Sequence, residues 1–573
     1  MSDPRFGGGE PLLVVVVGSA AVDQQHRVVG GRRAYFRTAT AVCDTEVMPE
    51  SSRPVPAFGP EPLTPTVFLD RSAFVFGDRT ALIDGERTFT YRELHRRSTR
   101  LAGALSQAGV SAGDRVSTLV PNSHVALESH FGVSWAGAVL NALNTRLSPR
   151  ELTWIVNHAG SRVLLCDQSL ADVGEAIVAG ADHPVQLINC GAPDDDYEQR
   201  LAAATPLHLD VTDELGMLSL NYTSGTTGHP KGVMYSHRGA YLQALAMVAQ
   251  GGLDAASVFL WTLPMFHCNG WCYPWAVTAA GGVHVALRQV DAGDVWSVIG
   301  RHGITHLNAA PTVLTMLASH PDATPAACPV HVAVGGAPPS PSLLARLADL
   351  NLHVTHLYGL TESYGPAVIC DWRPEWGALG PAEQARRKAR QGVANIACSQ
   401  LRVVDADGAD VPADGATPGE VVLRGNVVML GYYRDPAATA AATLQRPDGA
   451  WFRTGDVGVV HPDGYMEVRD RAKDVIISGG ENITSIEVEQ VLVRHPGVLE
   501  AAVVGVPDET WGELPVAFVA PRPGASPSEA ELIEFAQEAI ARFKVPKRVI
   551  FGDLPKTSTG KIQKFVLRER LRG

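Results

Sequence analysis

The densest chemistry in this sequence lies in Tyr222–Gly232, Tyr-Thr-Ser-Gly-Thr-Thr-Gly-His-Pro-Lys-Gly, where eight of the eleven residues are Gly, Ser, Thr or Lys. Glycines let the backbone turn and bring N–H groups close to a ligand, hydroxyls donate hydrogen bonds, and Lys231 adds a point charge. Thr223, Ser224, Gly225, Thr226, Thr227, Gly228 and Lys231 therefore read as a loop that holds phosphate oxygens. Gly225, Gly228 and Lys231 fall three apart, so the loop lacks the G-x-x-x-x-G-K-[ST] spacing of a Walker loop.

Further groups suit a nucleotide. Tyr358, Thr361 and Glu362 lie within five residues: an aromatic that can stack on a base, a hydroxyl that can bond a phosphate, and a carboxylate that can ligate magnesium. Gly335 and Gly336, before Ala337, end an apolar run and let a flat ring lie against the main chain. Asp456 closes Trp451-Phe-Arg-Thr-Gly-Asp456 and can accept both ribose hydroxyls. Lys561 stands in a turn rich in Gly, Thr and Ser, where its amine can be aimed. His267 sits among aromatics, as a core histidine would. Its spacing to Cys268 and Cys272 fits no common zinc finger. Val468–Asp474, with five charges in seven residues, has the form of a solvated turn.

In this order the segments resemble the adenylate-forming superfamily of acyl-CoA synthetases, luciferases and peptide-synthetase adenylation domains. The likeness runs from about residue 64 to the end and is nearest the short- and medium-chain acyl-CoA synthetase branch. The resemblance implies ATP, Mg²⁺ and coenzyme A, with Glu362 on the metal and Thr361, Glu362, His267 and Lys561 in the catalytic set. It places Gly335, Gly336, Ala337, Tyr358 and Gly359 along the nucleotide and Arg471 on its ribose. It makes Lys473 a hinge and points Ser478, Gly479, Gly480 and Lys544 at coenzyme A. His267 would line the carboxylate end of an acyl pocket bounded by Tyr241, Trp271, Gly335 and Gly359, with Trp271 narrowing it for a short, medium or aryl acid. The implied activity converts a carboxylic acid to an acyl-adenylate with release of pyrophosphate, then passes the acyl group to coenzyme A. A carrier protein or an oxyanion such as nitrite remains an alternative within that chemistry. A nucleotide-binding protein without catalysis is the alternative from another class. A homodimer is a habit of the family.

These groups need elements to hold them. Leu215–Asn221 reads as a buried strand and Arg238 onward as a helix, so the glycine-rich loop lies between strand and helix. Thr90 with Glu93 three residues on has capping-box spacing. Apolar strands at Arg115–Leu119, Arg162–Cys166 and Val185–Asn189 alternate with helical stretches, as in a layered α/β fold with largely parallel sheets. Ligands in such folds sit at the carboxyl ends of strands. Towards the end, Leu499–Gly505 and Pro515–Ala520 read as strands and Ser528–Phe543 as a helix. The expected division is a disordered extension over 1–60, a large domain over 61–472 and a small mobile α+β domain over 473–573. Met48 is an alternative start for a chain whose first sixty residues carry no motif.

The 573 residues exceed a single core, and 45% apolar with 19% charged residues suits a globular protein. A net charge of −12 argues against nucleic-acid binding, and no apolar run reaches the length of a membrane span. Eight scattered cysteines suit reduced thiols and a cytoplasmic setting. Residues 541–573 hold ten Lys/Arg against Asp553 and Glu569, a basic end that is either a solvated face or one that meets an anionic substrate.

Overall fold

The computed structural model describes residues 59–571 apart from 224–228, 337–338, 340, 399, 472, 479–480, 509–510 and 558–561. The expectations for residues 1–58 and for Met48 lie outside the described residues. From Glu61 onward the chain packs as one compact unit.

Among the described residues the strands form four sheets. In the first, Met217–Tyr222, Val139–Ala142, Arg115–Leu119, Ser161–Asp167 and Gln186–Cys190 run parallel. Met217–Tyr222 also pairs antiparallel with Gly232–Ser236, so these two strands grip both ends of the glycine-rich loop. In the second, six parallel strands from Thr80–Asp84 to Leu352–Leu360 are flanked by antiparallel edges. Strands buried on both faces need no alternation of apolar and polar residues, which is why Arg115–Leu119 and Val139–Ala142 are near-continuously buried. The helix His124–Trp135 is buried at every position, within a core that draws on both sheets.

The helices begin where side chains take up orphan backbone N–H groups. Thr90 with Glu93, Ser148 with Glu151 and Ser528 with Glu531 each form a complete capping box. The expected helix Ser528–Phe543 ends earlier, at Ala539. Ile540 turns extended (φ −135°) and packs on the core of the last sheet.

The third sheet, Gln400–Val404 to Met466–Arg471, is antiparallel. The fourth, built from Ile476–Ser478, Glu481–Ile483, Val498–Asp508, Gly512–Pro521 and Arg548–Phe551, carries its own apolar core around Ile476, Val503 and Leu532. Much of the basic end is spent here on internal ion pairs: Lys544 with Glu487, Lys556 with Glu500, Lys564 with Glu489 and Arg568 with Asp474.

Candidate functional site

The strand Met217–Tyr222 ends at Thr223, whose N–H donates to the Lys231 carbonyl (3.0 Å), while the Lys231 N–H donates to Thr223 Oγ1 (3.3 Å). This pair closes the neck of the loop. Ser224, Gly225, Thr226, Thr227 and Gly228 lie outside the described residues. Beside the neck, His229 stacks on Trp154 at 4.6 Å, and Tyr222 Oη meets His158 Nδ1 at 2.7 Å.

The second sheet delivers its share from the carboxyl end of Leu352–Leu360, where a turn of 3₁₀ helix carries Thr361 and Glu362. Tyr432 Oη donates to Glu362 Oε1 (2.7 Å), and the Lys231 ammonium sits over the Tyr432 ring at 4.7 Å from its centroid. Tyr432 thus joins the loop lysine to the candidate metal carboxylate. Burial and the neighbouring Glu362 charge raise its phenol pKa, so it stays a donor. The Thr361 carbonyl accepts from Tyr235 Oη (2.6 Å), and its Oγ1 accepts from Cys268 Sγ (3.5 Å). Burial pushes the Cys268 thiol up to about 12, which leaves it unreactive at neutral pH.

Tyr358 Oη donates to Asp456 Oδ2 (2.6 Å), and Arg471 Nε pairs with Asp456 Oδ1 (2.8 Å). Asp456 and Arg471 face each other across adjacent antiparallel strands, so sheet register sets this contact. Burial works against the Arg471 charge, but Asp456 outweighs it and raises the pKa. Each Asp456 oxygen keeps a lone pair for a ribose hydroxyl.

His267 is a neutral imidazole, its pKa lowered to about 4 by burial, with Nε2 3.9 Å from Cys268 Sγ. Cys268, Asn269, Gly270, Trp271 and Cys272 follow at φ +51°, +49°, +55°, +58° and +65°, one full turn of left-handed backbone. Such a turn costs of order 1–2 kcal/mol for each ordinary residue, and Gly270 and Asn269 are the types that bear it best. At Gly270 an added Cβ would meet Trp261 at 2.5 Å, so no other residue fits. The turn aims the Trp271 indole between two glycines. A Cβ at Gly335 would lie 2.8 Å from its six-membered ring, and one at Gly365 2.8 Å from Cδ1. Gly359 packs so closely on the Gly365 carbonyl that a Cβ there would overlap it. Gly336 is exposed, and Ala337 falls outside the described residues.

The Tyr241 ring stacks on Phe68 (4.7 Å, 24°). Past the third sheet, burial lowers the Lys473 pKa against the opposing charge of Asp474. Ser478 is buried on a short strand, while Gly479, Gly480 and Lys561 lie outside the described residues. Lys544 donates to both Glu487 oxygens (2.8 Å each), so any contact with a thiol substrate must compete with that pair. Asp470, three residues before Lys473, accepts from Ser485 N (2.5 Å) and Oγ (2.7 Å), and Lys564 Nζ donates to the same hydroxyl (2.5 Å). Sequence reasoning missed Tyr432, Asn269, Gly365 and Asp470. The Gly-Tyr-Tyr run at 431–433 and the Asn-Gly pair at 269–270 were the available signals.

Known proteins match this arrangement over nearly its whole length. The AMP-binding enzyme family matches residues 69–433, and the AMP-binding enzyme C-terminal domain matches 487–561. The chain is 44% identical to 2-methylpropanoate–CoA ligase CCL4 of Humulus lupulus over 546 residues, 91% of this chain and 98% of that protein. It is 42% identical to the peroxisomal acetate/butyrate–CoA ligase AAE7 of Arabidopsis thaliana over 540 residues, 89% and 94% of the two chains. Among solved structures it resembles ATP-bound MatB from Rhodopseudomonas palustris, with a TM-score of 0.77 and 29% identity over 88% of this chain and 99% of that one.

Proposed function

Because the chain belongs to the AMP-binding enzyme family, we propose that it is an acid–thiol ligase for short, straight or branched carboxylic acids. A carboxylate is a poor acyl donor, since its leaving group would be oxide. Its oxygen attacks the α-phosphorus of ATP, pyrophosphate leaves, and the acyl-adenylate forms. The sulfur of coenzyme A then attacks the acyl carbon, AMP leaves with the bonding electron pair, and the thiol proton passes to solvent.

In this reading the Thr223–Thr227 hydroxyls, Lys231 and Thr361 hold phosphates, and Asp456 and Arg471 hold the ribose. Tyr358 stacks on the adenine, with Gly335 and Gly336 along the other face of the site. Catalysis of this half-reaction is positioning and electrostatic stabilisation of charge on the phosphate oxygens. Lys561 joins the carboxylate to the α-phosphate. Neutral His267 bounds the carboxylate end without adding a charge. Glu362 suits magnesium: Tyr432 fixes one of its oxygens, and magnesium takes one or two carboxylates when phosphates supply the remaining ligands. When bound, the ion offsets phosphate charge. For the second half, the small C-terminal portion turns about Lys473 and brings Ser478–Gly480 to the pantetheine arm.

The observation that carries the substrate class is the Trp271 indole filling the gap between Gly335 and Gly365. A bulky ring at the floor of the acyl pocket favours acids of a few carbons. The relatives named for acetate, butyrate and 2-methylpropanoate support the same size. No helix among the described residues is long and apolar enough to cross a membrane. The described cysteines are all free, which supports a reducing compartment. One relative is named peroxisomal, so cytoplasm and peroxisome both suit that chemistry.

The test is pyrophosphate release with ATP and Mg²⁺ across acids from acetate to decanoate, 2-methylpropanoate, benzoate and nitrite, with and without coenzyme A. Release with two- to five-carbon acids, and a thioester when coenzyme A is present, is the expected result. Release confined to decanoate or benzoate would overturn the size assignment, and release without any thioester would overturn coenzyme A as acceptor.

A further inference from the structure

We infer that Asn269 is the residue that sets how far Trp271 reaches into the acyl pocket, and so shares control of chain-length specificity. This rests on the reading of Trp271 as the pocket floor. Asn269 is fully buried, and its side chain is held from two sides. Oδ1 accepts from Ser219 Oγ (2.7 Å) and from Asn221 Nδ2 (2.8 Å), and Nδ2 donates to His130 Nε2 (3.2 Å).

These partners admit one orientation of one side chain. His130 Nδ1 lies 2.7 Å from the Ala126 carbonyl and so carries the ring proton, which leaves Nε2 as an acceptor. Burial lowers the His130 pKa to about 4, in keeping with a neutral ring. The site thus offers two donors on one side and one acceptor on the other, which an amide satisfies and a carboxylate does not. Removing the amide takes one partner from each of three buried groups; Asn221 Nδ2 still donates to Ser219 Oγ (3.2 Å), while His130 Nε2 loses the bond that orients it.

The bonds act on the turn as a unit. Asn269 is two residues from Trp271 within the left-handed turn, so a rotation of its backbone is passed to the indole. Ser219 and Asn221 point from one face of the strand that ends at the phosphate loop, and His130 belongs to the fully buried central helix. The amide therefore registers the pocket floor against a largely buried strand and a fully buried helix, while Gly335 and Gly365 lie close against the indole.

The experiment compares kcat and KM for acids from acetate to octanoate in the wild type, Asn269→Gly, Trp271→Ala and the double variant. Glycine keeps the left-handed backbone and removes only the amide. The octanoate-to-butyrate ratio of kcat/KM is expected to rise at least about tenfold in Asn269→Gly, the scale of one or two methylenes in an apolar pocket. The change should lie in KM for the acid, with KM for ATP within about threefold, and the double variant should match Trp271→Ala. If Trp271→Ala shifts the profile and Asn269→Gly does not, the inference is overturned while the pocket reading stands. If Trp271→Ala leaves the profile unchanged, both fall. Equal loss of kcat for every acid in Asn269→Gly would mark a purely structural role and also overturn it. Should Asn269→Gly fail to fold, Ser219→Ala removes one donor from the strand side and is expected to move the profile the same way by a smaller factor; an unchanged profile would overturn the inference.

Discussion

Asp456 is the residue whose surroundings say most about nucleotide recognition. Its carboxylate is buried, bonded to Tyr358 on one oxygen and to the Arg471 guanidinium on the other. A side chain held so firmly presents its remaining lone pairs in fixed directions, which is how a carboxylate discriminates a ribose from other polyols. Asp456→Asn keeps the size but removes the charge opposite a half-buried arginine. We expect KM for ATP to rise at least about tenfold with KM for the acid little changed, measured as pyrophosphate release, since a hydrogen bond to a charged group is worth about 1.5–3 kcal/mol. A rise in the acid's KM alone would reassign Asp456 to the acyl side. The sequence offered the aspartate as a candidate ribose acceptor. Its clamp was not, because Tyr358 and Arg471 reach it only through strand pairing.

Among the elements, the helix His124–Trp135 shows how a charged cluster can serve architecture. His124 donates from its backbone and its Nδ1 to Asp84 (2.6 Å for the ring) and has Glu198 at 3.6 Å and Arg87 at 3.2 Å. Arg97 and Tyr197 hold the adjoining Glu128. Burial and the Arg87 guanidinium facing Nε2 work against an imidazolium here, but the bonds to Asp84 and Glu198 overcome them and raise the His124 pKa from 6.5 to about 9. A folded-state pKa above the unfolded one gives stability that is full below pH 6.5 and lost as pH rises through 9. The shift corresponds to on the order of 3 kcal/mol. The thermal midpoint should therefore fall between pH 7 and 9.5, and His124→Gln should flatten that slope. An unchanged slope would show that His124 is neutral in the folded protein. Nothing in the local sequence singles out His124, because its partners come from a strand forty residues before it and a helix more than seventy after it.

At the scale of the whole molecule, one site must serve two reactions. In the mechanism proposed above, Lys561, eighty-eight residues past Lys473, is brought to the carboxylate for adenylation and withdrawn for thioester formation. Lys561→Ala is expected to lower adenylation by at least about 10²-fold, while thioester formation from a supplied acyl-adenylate stays within a few-fold of wild type. Equal loss of both half-reactions would remove the alternating role. Asp470, Ser485 and Lys564 tie the strand Met466–Arg471 to the helices that begin at Ser485 and Lys564, which gives this arrangement its own polar support. The order of chemical segments, the alternating strands and helices and the capping of Thr90 by Glu93 were all determined by the sequence alone, because each depends on residue type and spacing within a few positions. The left-handed turn at Cys268–Cys272, the Trp271 ring stopped between Gly335 and Gly365, and the Lys231–Tyr432–Glu362 line were decided only by the tertiary structure. The turn is held by Ser219, Asn221 and His130, and the other two join residues tens to hundreds of positions apart; such contacts exist only once packing and sheet register have brought separate elements together.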